Sequence, residues 1–250
     1  MDSMKSRKTI RQYRQEDIAP DLLNELLETA CRASTCGNMQ VYSVIVTRDA
    51  ERKARLAPAH YGQPMVTQAP VVLTFCIDLR RFSRWCELRQ ASPGYNNLQW
   101  FVTGAVDTLL MAQTFCVAAE ERGLGICYLG TTTFNPDQIV DILELPALVF
   151  PLTTVTVGWP AEDPAQTDRL PLEAIVHEET YHDYTAEAID ALYAYKESLP
   201  ENAQFVRENG KQTLAQVFTD IRYTRSDSEA TSVTLWETLR RQGFINQTTH

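Results

Sequence analysis

Gly123-Leu124-Gly125-Ile126-Cys127-Tyr128-Leu129-Gly130 is the stretch on which the fold turns. Its first two glycines suggest a dinucleotide-binding loop. Such a loop carries a further spaced glycine and leaves a strand to enter a helix. Here the next spaced glycine is missing, and the order is reversed. A long apolar run from Trp100 to Ala119 reads as a helix and closes on Glu120-Glu121-Arg122-Gly123, with Gly123 as its C-cap. The strand comes after it, over 125–130.

Upstream and downstream, apolar spacing supplies the other elements. Leu22, Leu23, Leu26, Leu27 and Ala30 recur at helical spacing within Asp17 to Ala33, and Pro20 suits a first turn. Gln40 to Arg48 is β-like. Val71 to Asp78 is almost continuously apolar, as a strand covered on both faces should be. Asn135-Pro136 predicts a helix start, with Asn as cap and Pro at the first position, and Ile139, Ile142 and Leu143 form that helix's apolar face. Leu152 to Gly158 is rich in Val and Thr and reads as another strand. After Arg169-Leu170-Pro171 the pattern changes, and from Thr185 onward it is helical and less apolar. Trp236, Leu239 and Phe244 mark a last packed helix, and Trp85 and Trp100 read as packing anchors. The alternation predicts an α/β or α+β layered core with a helical tail.

The run from Trp100 is long enough to cross a membrane. Asp107, Gln113 and three threonines interrupt it and Gly104 weakens it, so a buried core helix is expected, with no membrane partner. The 250 residues are 44% hydrophobic and 22% charged, enough for one sizeable core and a smaller second unit. A net charge of -9 argues against nucleic-acid binding, which needs basic surface. It leaves room for a small anionic ligand held by local cations. The six cysteines form no CxxC pair, and no His stands at ligand spacing from them, so no zinc site is expected. Reduced thiols and an opening Met-Asp-Ser-Met-Lys without an apolar signal region give the expectation of a cytoplasmic protein. His60, His177, His182 and His250 are scattered, and their spacing makes no Ser-His-Asp arrangement.

Four segments carry recognition chemistry. Arg7-Lys8-Thr9-Ile10-Arg11 offers guanidinium forks, an ammonium and a hydroxyl, all suited to phosphate. Taken alone it reads equally as a solvated tail. Ala33-Ser34-Thr35-Cys36-Gly37-Asn38-Met39-Gln40 puts small polar groups just after a helix, and by itself is a polar loop. His60-Tyr61-Gly62-Gln63 is, as a bare motif, a turn. Arg169 follows Gly158-Trp159-Pro160 at a distance.

Together these segments resemble the nitroreductase family of flavoenzymes, over essentially the whole chain and in the order that family uses. Arg-Lys-Thr-Ile-Arg looks like its Arg-x-Ser-x-Arg/Lys opening. The resemblance implies Arg7, Lys8 and Thr9 near the phosphate and ribityl chain of bound FMN, and Arg11 near the pyrimidine edge of the ring. The 33–40 segment is similar to a Ser-Ser-x-Asn-x-Gln run that reaches FMN from the neighbouring subunit. It implies roles for Thr35, Cys36, Asn38 and Gln40, although Cys36 stands where a hydroxyl is common. Gln63 matches the Gln of a Gly-Gly-Gln that meets the polar edge of the ring. The 123–130 stretch looks like Gly-Leu-Gly-x-x-Tyr-Ile-Gly, which implies Tyr128, Leu129, Gly130 and Thr131 beside the flavin. Thr131 replaces a frequent Gly. Arg169 matches the Arg of a Gly-Trp-Pro…Arg-Leu-Pro signature that closes on the phosphate, and Thr167 stands where many relatives carry Lys.

The resemblance implies an α+β three-layer fold: a central, mostly antiparallel sheet flanked by helices, with a helical C-terminal extension. It implies an FMN-binding core over 1–180 and an extension over 181–250. It also implies a homodimer with FMN at the subunit interface. NADPH or NADH would be the electron donor, and a nitroaromatic, quinone or other small molecule the acceptor. A flavin reductase and a non-catalytic FMN-binding protein are the alternative readings.

Overall fold

The computed structural model describes residues 2–246, so His250 lies outside it. The elements follow in the order α1 (Asp2–Ser6), α2 (Pro20–Ala30), β1 (Tyr42–Thr47), α3 (Ala50–Leu56), α4 (Met65–Gln68) and β2 (Val71–Asp78). Then come α5 (Arg80–Glu87), α6 (Leu98–Glu121), β3 (Gly125–Leu129), α7 (Pro136–Ile142) and β4 (Val149–Gly158). The last helices are α8 (Ala186–Ser198), α9 (Pro200–Glu208), α10 (Leu214–Val217) and α11 (Arg225–Arg241).

The four strands form one sheet in the order β1-β2-β4-β3, every neighbouring pair antiparallel. That settles the architecture as α+β. All eight positions of β2 are buried, which its unbroken apolar text required. β4 starts three residues earlier than its Val/Thr pattern suggested. Pro151 is accommodated opposite Cys76, where the β2–β4 register shifts between Phe75 and Cys76.

Alternation of side chains separates two cores. Leu73, Phe75, Ile126, Val155 and Val157 face α2 and α6, packing on Leu23, Leu26, Met111, Phe115 and Ala119. Cys76, Cys127, Leu129 and Val149 face the other way, onto Leu56, Met65, Val66, Ile139 and Val140. The result is helix, sheet, helix. A third cluster joins Ile77 and Phe150 to Phe244, with the Phe101 ring 5.3 Å from each of the other two phenylalanine rings. Gln242 fastens this end by donating from Nε2 to the carbonyls of Val149 (2.6 Å) and Pro146 (2.9 Å).

Helix α6 is the central rod. The Asn97 carboxamide caps it by accepting from the Trp100 N–H at 3.1 Å. Gly123, at φ +80°, ends it, and the Leu124 N–H returns to the Ala119 carbonyl. Gly104 is required because a Cβ there would stand 2.5 Å from Ile77 Cγ2. One face of α6 is buried, as expected of a core helix. The other is not: Leu98, Val102, Val106, Leu109 and Leu110 are between 44% and 53% exposed. Trp85 and Trp236 also differ from expectation, lying about half exposed rather than anchoring a core.

The chain forms two compact units, Thr167–Ala230 and the remainder. The second unit begins at Thr167, and the chain returns to the first unit at Thr231. Within the second unit, Thr185 Oγ1 accepts from the Ala188 N–H to start α8, and Thr213 and Gln216 form a reciprocal cap on α10. The Arg222 guanidinium lies 4.4 Å from the Phe205 ring centre.

Candidate active site

The basic segment is not a loose tail. Its backbone lies against the outer edge of β3, where the Ile10 N–H donates to the Ile126 carbonyl at 3.1 Å. Such close docking needs Gly125, since a Cβ there would be 2.6 Å from Ile10 Cβ. Three residues on, the Tyr13 hydroxyl reaches the Ile10 carbonyl (2.8 Å) and Thr156 Oγ1 (2.7 Å). Glu162 accepts from the backbone N–H groups of Arg11 (2.5 Å) and Gln12 (3.0 Å). The whole 7–13 run is thereby held as an added edge.

Its cations are individually placed. Arg7 Nε is 3.3 Å from Glu120 Oε1, in the last turn of α6. Burial pushes the Glu120 carboxyl up, against the opposing pull of the Arg7 guanidinium. Lys8 Nζ is 2.6 Å from Asp163, a carboxylate 87% exposed and so free to exchange partners. Thr9 is half-buried between them, and Arg11 is exposed. Arg11 lines a cavity of about 510 Å³ with Tyr13, Pro64, Met65 and Gln68, so the basic edge and the segment after Gln63 meet there.

The strand end on the same edge completes this region. Tyr128 and Leu129 point to opposite faces and both enter the core, Tyr128 beside Phe115 and Cys116 and Leu129 beside Ile139. Their contribution to a ligand is therefore backbone. Gly130 is exposed, and a Cβ on it would meet nothing within 4 Å, leaving open space over the chain at this point. Thr131 turns its hydroxyl inward. Oγ1 is 2.8 Å from His60 Nδ1 and 3.5 Å from Gln63 Nε2. His60 is wholly buried, and burial brings its pKa down to about 4, so the ring is neutral. Its Nε2 has no partner. Asn135 does not cap α7; its Nδ2 donates to the Ala59 carbonyl at 2.9 Å, tying the 57–63 turn to the segment after Gly130. Tyr61 and Gly62, both at positive φ, shape that turn.

The 34–40 loop is held elsewhere on α6. Asp107 Oδ1 accepts from the Cys36 N–H at 2.9 Å. Burial pushes the Asp107 carboxyl up, opposed by the backbone N–H groups of Cys36 and Val41. Gly37, Asn38 and Gln40 all adopt positive φ, and Gln40 Nε2 donates to Asn38 Oδ1 at 3.2 Å. The Arg81 guanidinium clamps the Gln40 and Tyr42 carbonyls. Thr35 and Cys36 line a cavity of about 390 Å³ with Gln99, Val102, Val106 and Leu110 of the outward face of α6.

Arg169 belongs to the second unit. Its Nη1 turns back on Thr167 Oγ1 (2.9 Å) and the Asp168 carbonyl (2.8 Å), while Asp168 pairs with Lys196 at 2.8 Å.

Within the first unit, then, Arg7, Lys8, Thr9, Arg11, Gln63 and 128–131 gather along one sheet edge, while Thr35, Cys36, Asn38 and Gln40 gather at Asp107. One group is tied to α6 at Glu120 and the other at Asp107, about 20 Å apart along a straight helix. Sequence reasoning missed Glu120, Asp107 and His60. A lone carboxylate in an otherwise apolar helix was a readable signal for Asp107. Nothing local pointed to His60.

Comparison with known proteins agrees with this geometry. The family model described as Nitroreductase family matches residues 4–159. A Bacillus subtilis (strain 168) protein named as an NAD(P)H FMN reductase is 37% identical over 213 residues, covering 84% of this chain and 85% of its own length. A solved structure from Bacteroides fragilis NCTC 9343 superposes with a TM-score of 0.97 at 67% identity, covering 98% of this chain and 100% of that one. The NfrA1 nitroreductase of B. subtilis superposes with a TM-score of 0.86 at 25% identity, covering 98% and 99%. With its sheet, its basic edge and its open Gly130 accounted for, this chain belongs to the nitroreductase family and is an oxidoreductase.

Proposed function

We propose that the protein is an NAD(P)H-dependent FMN oxidoreductase that works as a homodimer, with a flavin shared between subunits at each of two sites. The observation that carries this reading is the split of the site along α6. A single chain presents one set of ligand groups tied at Glu120 and a second, smaller set tied at Asp107, and between and beyond them lies the exposed apolar stripe from Leu98 to Leu110. A stripe of that kind is covered when a second copy packs on it. The second copy then supplies each site with its 34–40 loop.

The residues fit FMN. Arg7 and Lys8 are the first unit's cations for its phosphate, and the Arg7 guanidinium is already held at Glu120. Thr9 offers a hydroxyl to the ribityl chain. Gly130 gives a planar ring room that a side chain would fill. Arg11 and Gln63 meet the pyrimidine edge, where a cation favours charge that develops on reduction. Thr35, Cys36, Asn38 and Gln40 close the site from the partner.

When bound, FMN would supply two-electron hydride chemistry between NAD(P)H and an acceptor in a ping-pong sequence. No side chain acts as acid or nucleophile. The chain orients the ring, tunes its charge and leaves one face open for donor and acceptor in turn. Nitroaromatics and quinones are the acceptors proposed. The name of the B. subtilis relative favours free FMN as a second acceptor class. The acidic chain with its free thiols is proposed to work in the cytoplasm.

Light scattering with in-line flavin absorbance tests the assembly. The reconstituted protein is expected to run as a dimer with flavin on each subunit. A monomer that retains FMN would contradict the shared site.

A further inference from the structure

Thr131 Oγ1 sits within hydrogen-bond reach of two side chains, one of them buried. His60 Nδ1 is 2.8 Å away and Gln63 Nε2 is 3.5 Å away. A threonine hydroxyl accepts up to two hydrogen bonds and donates one. The Gln63 amide nitrogen can only donate. The bond to His60 can run either way, and the imidazole's surroundings decide it. His60 is fully buried and its Nε2 has no partner. With the proton on Nε2, that N–H would be orphaned in the interior, a rare arrangement; with the proton on Nδ1, only a lone pair is left there. The Nδ1–H form therefore donates to Thr131. Both acceptor places on Oγ1 are then filled, and its single hydrogen has no protein acceptor among these neighbours.

That hydrogen is next to a position on this edge where the backbone is bare. Gly130 precedes Thr131 directly, is exposed, and has nothing within 4 Å of where a Cβ would be. We propose that His60 is a positioning residue that fixes Thr131 as an obligate hydrogen-bond donor toward the ligand lying over Gly130. The recognised chemistry is a hydrogen-bond acceptor on the edge of a planar ring, and under the reading of this site given above that ring is the flavin. The device belongs to residues 57–63 and 130–135, which Asn135 ties together through the Ala59 carbonyl. It accounts for a buried imidazole, bonded through Nδ1 alone, beside a surface turn. It also gives Thr131 a purpose that glycine could not serve.

The test combines a tautomer measurement with flavin titration of the whole protein. In ¹⁵N NMR of the imidazoles, His60 is expected as the neutral Nδ1–H tautomer. Apoprotein titrated with FMN is expected to show roughly 3- to 10-fold weaker binding for Thr131→Val, with displaced visible absorption bands, and near-native binding and bands for Thr131→Ser. His60→Phe is expected to behave like Thr131→Val in its spectrum. An Nε2–H tautomer overturns the proposal, as does a Thr131→Val protein with native affinity and spectrum. Those outcomes leave FMN binding by the wild type intact. Wild-type protein that takes up no FMN instead removes the functional reading itself.

Discussion

Arg7 Nε and Glu120 Oε1 stand 3.3 Å apart, joining the basic edge segment to the last turn of the central helix. The carboxylate is nearly buried and gains from the pairing, so Arg7 is aimed before any ligand arrives. Arg7→Ala is expected to weaken FMN binding by about 1.5–3 kcal/mol, the range for a charge-assisted hydrogen bond. Glu120→Gln keeps an acceptor for Arg7 and is expected to lose less. Fluorescence titration of the apoproteins with FMN ranks the two, and equal affinity for Arg7→Ala and wild type would refute the phosphate assignment.

Gly125 couples folding to the site. Its missing Cβ lets Ile10 lie on β3, and Ile10 Cβ and Cγ1 are both 2.6 Å from where that atom would be. Neither is the far end of a flexible side chain. Gly125→Ala should cost about 1–3 kcal/mol of stability, the usual penalty of overpacking, and weaken FMN binding in parallel. Urea unfolding and flavin titration on the same protein check both effects.

The exposed face of α6 makes a direct prediction about assembly. Val106 is 53% exposed at the centre of the stripe, so a charge there is harmless to a single chain. In a dimer it would be buried without a partner. Val106→Glu is therefore expected to sediment as a folded monomer and to lose its flavin, because the 34–40 loop of the second copy leaves with it.

His60 makes stability depend on pH. Its folded pKa is about 4, below the ordinary histidine value of 6.5, because burial disfavours the charged ring. The unfolded chain takes up the proton first as pH falls. The stabilising effect is thus complete above about pH 6.5 and is lost progressively down to about pH 4, on the order of 3 kcal/mol in all. Chemical denaturation at pH 7.5 and at pH 4.5 should show wild type losing stability relative to His60→Phe at the lower pH.

The fold was largely legible because burial writes itself into local text. The unbroken apolar run of β2 and the C-cap at Gly123 both stand where the sequence placed them. Elements were misread where distant partners override local signals. The start of β4 was missed because Pro151 disfavours a strand, and only the register shift opposite Cys76 accommodates it. Asn135 has the chemistry of a cap but donates to Ala59. The site divides in the same way. The cations were legible by type, but what positions them was not, because Asp163, Glu162 and Glu120 lie more than a hundred residues from Lys8, Arg11 and Arg7. The resemblance placed Tyr128 and Leu129 beside the flavin, and the alternation along β3 that buries Leu129 on one face and half-buries Tyr128 on the other became legible only with the sheet in place.

The central claim is that bound flavin passes electrons from a nicotinamide donor to an acceptor. The most direct measurement is an anaerobic visible spectrum of the FMN-reconstituted protein, recorded before and after NADPH, then NADH. The flavin absorption is expected to bleach with at least one nucleotide and to return on addition of a nitroaromatic, a quinone or free FMN. A flavin that stays yellow with both nucleotides would contradict the account and leave a flavin-binding protein without reductase activity.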